Sequence, residues 1–202
     1  MMGKIQKLAV LVCALSVANA WGATFKDDFN RPNGPVGNGW TPQLNGTIKA
    51  EIVDNEVLIS GTQATDWARS GISRPVSGEK RISFDFLANN NFSFHCRVDS
   101  AGNSAYLELY CWVGGPITHA NSLDGGWPGW VEFAGANMTA GVYNSIVLEQ
   151  DGTKFTVTLN GKVVGSVTNA NFTAIESVFL CTDSAAGTTG IIHFDNVQIG
   201  IV

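Results

Sequence analysis

Charge is scarce in this chain. Only 14% of its 202 residues are Asp, Glu, Lys or Arg, the net charge is −5, and no basic run occurs anywhere. Such a surface offers little to phosphates or anionic headgroups, so neither nucleic acid nor an anionic membrane is an expected partner. Long apolar runs are also lacking. The stretch from Leu8 to Ala18 is eleven residues, and no later run approaches the roughly 20 needed to cross a bilayer, so no membrane span is expected. Helical periodicity is missing as well: no segment sustains apolar residues at i, i+3, i+4 and i+7. Cysteine is sparse, with four residues in all.

The first apolar stretch reads as an address. Lys4 and Lys7 precede it, and Ala18-Asn19-Ala20 matches the small-residue rule for cleavage, so residues 1–20 are expected to be a signal peptide and the mature chain to begin at Trp21. Cys13 lies inside the apolar run, not at the cleavage point, which argues against a lipoprotein. A secreted or extracytoplasmic protein follows, with residues 21–202 as one domain. Losing two lysines takes its charge to about −7. Three cysteines remain, Cys96, Cys111 and Cys181, so at most one internal bridge can form. With a hairpin turn centred on Ala101 and Gly102, Cys96 falls opposite Leu107, out of disulfide reach of Cys111. Buried free thiols are expected, with a Cys111–Cys181 bridge as the alternative.

What is plentiful is Gly, Asn, Thr and β-branched residues in short alternating runs. Thirteen strands are expected between Thr24 and Ile199. Asp151-Gly152 and Asn160-Gly161 separate three of them, and these dipeptides favour tight hairpin turns. Many short strands without helices imply an all-β fold, a two-sheet antiparallel sandwich, because an apolar sheet face must be buried against another layer.

The segment from Asn91 to Val113 sorts its side chains most sharply. Phe92, Phe94, Cys96 and Val98 share one face, and Ser93, His95 and Arg97 the other; beyond a turn, Leu107, Leu109, Cys111 and Val113 alternate with Tyr106, Glu108, Tyr110 and Trp112. One face is core. The other holds an imidazole, a guanidinium, a carboxylate and three aromatic rings, a composition suited to binding or catalysis. Thr118 to Trp130 reads as a long Gly- and Pro-containing loop carrying His119, Asn121, Asp124, Trp127 and Trp130, placed to rim such a surface.

Three motifs carry a resemblance. Phe25-Lys-Asp-Asp-Phe-Asn-Arg-Pro-Asn-Gly34 with Gly37-Asn-Gly-Trp40 opens the domain, Leu148 to Lys162 forms its centre, and Ile192-His-Phe-Asp-Asn-Val-Gln-Ile199 closes it. Together they resemble the concanavalin A-like and laminin G-like jelly rolls of secreted lectins and glucanases. The resemblance implies a jelly roll whose last strand returns to the first and whose concave sheet binds the ligand. Asp85, from a strand expected beside the hairpin, then joins His95, Arg97, Tyr106, Glu108, Tyr110 and Trp112 on that face, with Trp127 and Trp130 at its rim. Sugar rings stack on Tyr and Trp and take hydrogen bonds from the charged groups, so a poly- or oligosaccharide is the expected partner. The resemblance also implies a structural calcium between first and last strands, with Asp27, Asp28 and Asp195 as ligands.

The Glu-x-Asp-x-Glu strand of the family's glucanases is absent. A non-catalytic, lectin-like domain is therefore the main expectation. A polysaccharide-cleaving enzyme, hydrolase or lyase, is the alternative, with Asp85 and Glu108 or Glu132 as a possible carboxylate pair. A structural or adhesion protein is the third reading.

Overall fold

The computed structural model describes residues 23–89 and 91–200. The signal peptide and the Trp21 start lie outside the described residues. In chain order the strands are β1 (Ala23–Asp27), β2 (Gly34–Pro35), β3 (Thr41–Gln43), β4 (Lys49–Val53), β5 (Glu56–Thr62), β6 (Ser70–Pro75), β7 (Arg81–Asn89) and β8 (Phe94–Ser100). There follow β9 (Tyr106–Cys111), β10 (Pro116–Ser122), β11 (Val131–Asn137), β12 (Asn144–Asp151), β13 (Lys154–Leu159), β14 (Lys162–Thr168), β15 (Ile175–Thr182) and β16 (Thr189–Gly200). No helix occurs among the described residues.

All pairings are antiparallel. One sheet runs β14-β13-β12-β7-β16-β5-β4-β2 with β1 added on β16, and the other runs β11-β10-β9-β8-β15-β6-β3. This is an all-β jelly-roll sandwich. The meander β12-β13-β14 forms where the Asx-Gly dipeptides lie. Asn160 and Gly161, at φ 50° and 77°, make a two-residue turn between the paired Leu159 and Lys162, because positive φ at both positions matches the twist of the flanking strands. The last strand pairs with the first, Asp27 against Val197, as the resemblance implies.

Period-two burial explains the layers. Alternate residues of β12 (Asn144, Ile146, Leu148, Gln150) and β7 (Ile82, Phe84, Phe86, Ala88) are buried, as a sheet with one covered face requires. The sheets meet in an aromatic layer. Phe86 of the first stacks on Phe94 of the second with centroids 4.0 Å apart, and Phe84 and Phe194 pack around them. The apolar face of the β8–β9 hairpin is core, as its pattern predicts: Phe94, Cys96, Val98, Leu107, Leu109 and Cys111 are all buried.

Three expectations need correction, and the expected cysteine state is met. Cys96 lies opposite Leu109, not Leu107, because the connection closes on Asp99 and Tyr106 and is longer than a tight turn. Cys96, Cys111 and Cys181 are buried free thiols, as expected, and the alternative Cys111–Cys181 bridge is not formed: Cys111 faces the core, while Cys181 pairs with His95 on the opposite face. The expected loop from Thr118 begins as strand β10, which puts His119 against Phe133, with centroids 4.7 Å apart, and leaves only 123–130 as connection. Finally, β7 does not neighbour β8. It lies between β12 and β16 in the other sheet, so Asp85 is on the far side of the sandwich from the hairpin.

Candidate active site

Every residue of β9 is buried, including the face expected to be wet. The cover comes from both sides. Arg69, just before β6, reaches over Glu108, while the 123–130 connection brings Trp130 onto Tyr110 in a stack with centroids 4.7 Å apart. His95 and Glu108 are fully excluded from solvent as a result.

A buried charge is tolerated only when paired and hydrogen-bonded, and here four charges form one chain. Arg69 gives Nε and Nη2 to the two oxygens of Glu108, at 2.5 and 2.6 Å. Glu108 Oε1 also meets His95 Nδ1 at 2.8 Å, and His95 Nε2 meets Asp183 Oδ1 at 2.9 Å. Ser93 completes the chain. Its hydroxyl donates to Asp183 Oδ1 at 2.7 Å and lies 3.1 Å from His95 Nε2. Burial pushes His95 down, but the hydrogen bonds and charges of Asp183 and Glu108 outweigh it and hold the imidazole above its ordinary pKa. Burial likewise pushes both carboxylates up; His95 and Arg69 hold Glu108 below the usual range, and His95, Ser93 and Arg69 do the same for Asp183. Below the raised His95 pKa the chain is Arg⁺, Glu⁻, His⁺, Asp⁻, with no net charge.

Of these groups, Arg69 and Asp183 emerge into a groove of about 510 Å³. Its walls are Trp67, Trp112, Trp127, Trp130 and Tyr110, so four of the chain's six tryptophans converge there. Trp67, Trp112 and Trp127 are about half exposed, at 54%, 43% and 58%, which leaves ring faces open to a ligand. Trp67 sits at φ 57°, a strained conformation for a bulky residue, fixed by its N–H to the Ser184 carbonyl and edge-on contact with Trp112. Burial and the charge of Asp183 push the Tyr110 phenol up, so it keeps its proton.

The sequence-predicted residues divide into three groups. Tyr110, Trp112, Trp127 and Trp130 are brought together at the groove, and His95 and Glu108 lie directly beneath it. Arg97 and Tyr106 sit further along the same sheet, with the guanidinium 4.0 Å over the phenol ring. Asp85 is on the opposite sheet, bonded to Asn196, so it forms no carboxylate pair with Glu108 or with Glu132, which is exposed on edge strand β11. Of the expected calcium ligands, Asp28 and Asp195 are close enough for their charges to interact. Asp27 is engaged by Arg31, Asn38, Trp40 Nε1 and the Phe29 N–H, and among the described residues no group of three His, Cys, Asp or Glu side chains is placed to hold a metal. Asp195 is pushed up by burial and the charges of Asp85, Glu56 and Asp28.

Sequence reasoning missed Ser93 as a working group, and Trp67, Arg69 and Asp183 altogether. Ser93, Arg69 and Asp183 each lie just beyond a strand end and Trp67 in the connection before β6, and the crossover that sets β15 between β8 and β6 has no local signal.

No family model matches the chain, and no curated protein does. Solved structures do match. The β-glucanase of Bacillus licheniformis is 12% identical with a TM-score of 0.66, over 90% of this chain and 99% of that one. The fold is the concanavalin A-like jelly roll. The laminarinase catalytic domain from Thermotoga maritima gives 6% identity and a TM-score of 0.66, over 90% of this chain and 98% of that one. A sialidase gives 14% and 0.65; the match covers 90% of this chain but only 19% of the sialidase. Several of the solved structures with this fold are glycan-cleaving proteins, a finding that counts against the expected non-catalytic lectin.

Proposed function

We propose that the chain is a polysaccharide-cleaving enzyme acting in the tryptophan groove. The observation that carries this reading is Asp183: the one carboxylate, among the described residues, that lines the groove, and one backed by a buried relay. An Arg–Glu–His–Asp chain lies sealed beneath that surface. For catalysis such a chain holds an ionised carboxylate in fixed geometry in a low-dielectric site.

The chemistry follows from the protonation states. Ionised Asp183 accepts a proton, from water attacking the anomeric carbon or from a carbon made acidic by a neighbouring carboxylate. The His95 charge that keeps Asp183 ionised also lowers its basicity, so the proton is taken by a weak base that is fixed in place. When the glycosidic C–O bond breaks, its electron pair goes to the bridging oxygen, and the Tyr110 phenol is the O–H donor in the groove for that oxygen. Glu108 is not a second reacting carboxylate. It lies on the far side of the imidazole from Asp183, fully buried, and acts by positioning Arg69 and His95. The two-carboxylate arrangement of a retaining glycosidase, about 5 Å apart in one cleft, is therefore not the one used.

The test is incubation with a panel of neutral and acidic polysaccharides and analysis of the reducing or unsaturated ends formed. Asp183→Asn should remove activity by at least 100-fold, the lower range for losing a positioned base, while retaining Ser93 and His95 contacts and the fold. Full activity in a folded Asp183→Asn protein would refute the assignment.

A further inference from the structure

Two hydrogen-bonding edges belong to residues that line the tryptophan groove and are not used by the protein itself. Arg69 gives Nε and Nη2 to Glu108, which leaves Nη1 without a partner among the described residues. Asp183 is its counterpart. Its Oδ1 takes His95 Nε2 and the Ser93 hydroxyl, which leaves Oδ2 as an acceptor with two lone-pair directions. Both side chains are partly exposed, at 29% for Arg69 and 9% for Asp183. They hold opposite ends of the buried chain, with Glu108 and His95 between them. The groove therefore offers a fixed N–H donor and, apart from it, a fixed acceptor.

The rings supply a second condition. The planes of Trp67 and Trp112 cross at 83°, and those of Trp112 and Tyr110 at 79°. A pyranose ring can lie flat on only one of two walls at right angles. The other is left for an apolar substituent that projects from the sugar.

A secondary amide carrying a methyl group meets all of these conditions together. Its N–H and C=O point to opposite sides, so the N–H can donate to Asp183 Oδ2 while the carbonyl accepts from Arg69 Nη1. The methyl then covers the second aromatic wall. An amide is also neutral, which suits a site whose charges are already paired. A hydroxyl would satisfy one polar edge but leave that wall bare, and an ammonium would meet the Arg69 guanidinium as a like charge.

We propose that the groove binds the acetamido group of an N-acetylhexosamine unit, and that the substrate is a glycan containing such units. The proposal rests on the groove being a glycan-cleaving site. The second lone pair of Oδ2 remains for the proton that cleavage delivers.

Calorimetry and saturation-transfer NMR of the full chain test this with sugars that differ only at C2: chitohexaose, its fully de-N-acetylated form and cellohexaose, and N-acetylgalactosamine beside galactose. In at least one series the acetamido sugar should bind about tenfold more tightly than its hydroxyl counterpart, the scale of one hydrogen bond to a charged group, and its methyl should receive the strongest saturation. The de-N-acetylated hexamer should bind more weakly than chitohexaose. Arg69→Lys keeps a charge beside Glu108 but loses the Nη1 edge, so it should narrow the preference, with a thermal melt verifying that it is folded. Trp112→Ala, on the exposed wall, should weaken the acetamido sugar more than its hydroxyl counterpart. Equal or tighter binding of the hydroxyl sugar in both series, no binding of either acetamido sugar, a weakly saturated methyl, or an unchanged preference in folded Arg69→Lys would overturn the subsite. Acetamido preference without cleavage of any glycan leaves the subsite and removes the enzyme; cleavage of glycans that lack acetamido groups, with no such preference, does the reverse.

Discussion

Glu108→Gln isolates the buried charge chain. The carboxylate is fully excluded from solvent and accepts two bonds from Arg69 and one from His95. Gln keeps the shape and one acceptor oxygen but removes the charge, leaving a buried imidazolium with one carboxylate instead of two. Breaking a buried pair by removing one partner costs about 3 to 5 kcal/mol, and the retained acceptor puts this change near the low end. For a domain of this size each kcal/mol moves the melting temperature by about 2 to 4 °C, so a fall on the order of 6 to 12 °C is expected at neutral pH. The pH dependence carries more information. Glu108 and Asp183 titrate below their ordinary values, so their stabilisation is present above the unfolded carboxylate pKa, near 4, and is lost as pH falls through the folded values. His95 is raised, so its contribution is complete below about pH 6.5 and is lost as pH rises through its folded value. Wild-type stability should therefore plateau between these limits. In the variant His95 has one carboxylate fewer, so the alkaline decline, which still starts near the unfolded value of about 6.5, should end at lower pH and be smaller. Thermal unfolding followed by near-UV circular dichroism from pH 3 to 10 measures both. A variant melting within about 2 °C of wild type, with an unshifted alkaline limb, would refute the charge chain.

Two further mutations separate groove from core. Trp112→Ala should raise KM or weaken glycan binding by about 1 to 3 kcal/mol with little loss of stability, since the ring is 43% exposed on the groove wall, whereas Leu109→Ala, buried in the core, should cost about 2 to 5 kcal/mol of stability; steady-state kinetics and urea unfolding tell these apart. Asp27→Ala should destabilise by about 2 to 4 kcal/mol in urea, because the Arg31 guanidinium, Trp40 Nε1 and Phe29 N–H all lose their acceptor; unfolding at the wild-type midpoint would show that this network is decorative.

The faces of the β8–β9 hairpin were legible because alternation is a local property. Phe94, Cys96, Val98, Leu107 and Leu109 could face only the core, and the rings of Tyr110 and Trp112 then faced the other way. The wetness of that second face was not legible. Whether Glu108 meets water depends on what crosses above it, and Arg69 arrives from a strand nearly forty residues earlier. Asp85 shows the same limit from the other side: its strand alternates correctly, yet nothing local says that β7 joins the first sheet and β8 the second.

The two halves of the site differ in legibility for a physical reason. Aromatic residues announce themselves wherever they break the expected polar face, so Trp112, Trp127 and Trp130 stood out as candidate ligand contacts. Asp183 and Arg69 are single charged residues at strand ends, where solvated charges are commonplace. What distinguishes them is the partner each meets: Asp183 meets His95 and Ser93 across the β15–β8 pairing, and Arg69 meets Glu108 two strands beyond its own neighbour. Burial converts ordinary charges into a neutral, hydrogen-bonded chain. The groove floor is thereby reduced to one oriented carboxylate and one guanidinium edge, and in the proposed reaction specificity passes to whatever sugar can stack on the tryptophans while presenting its reacting bond to Asp183.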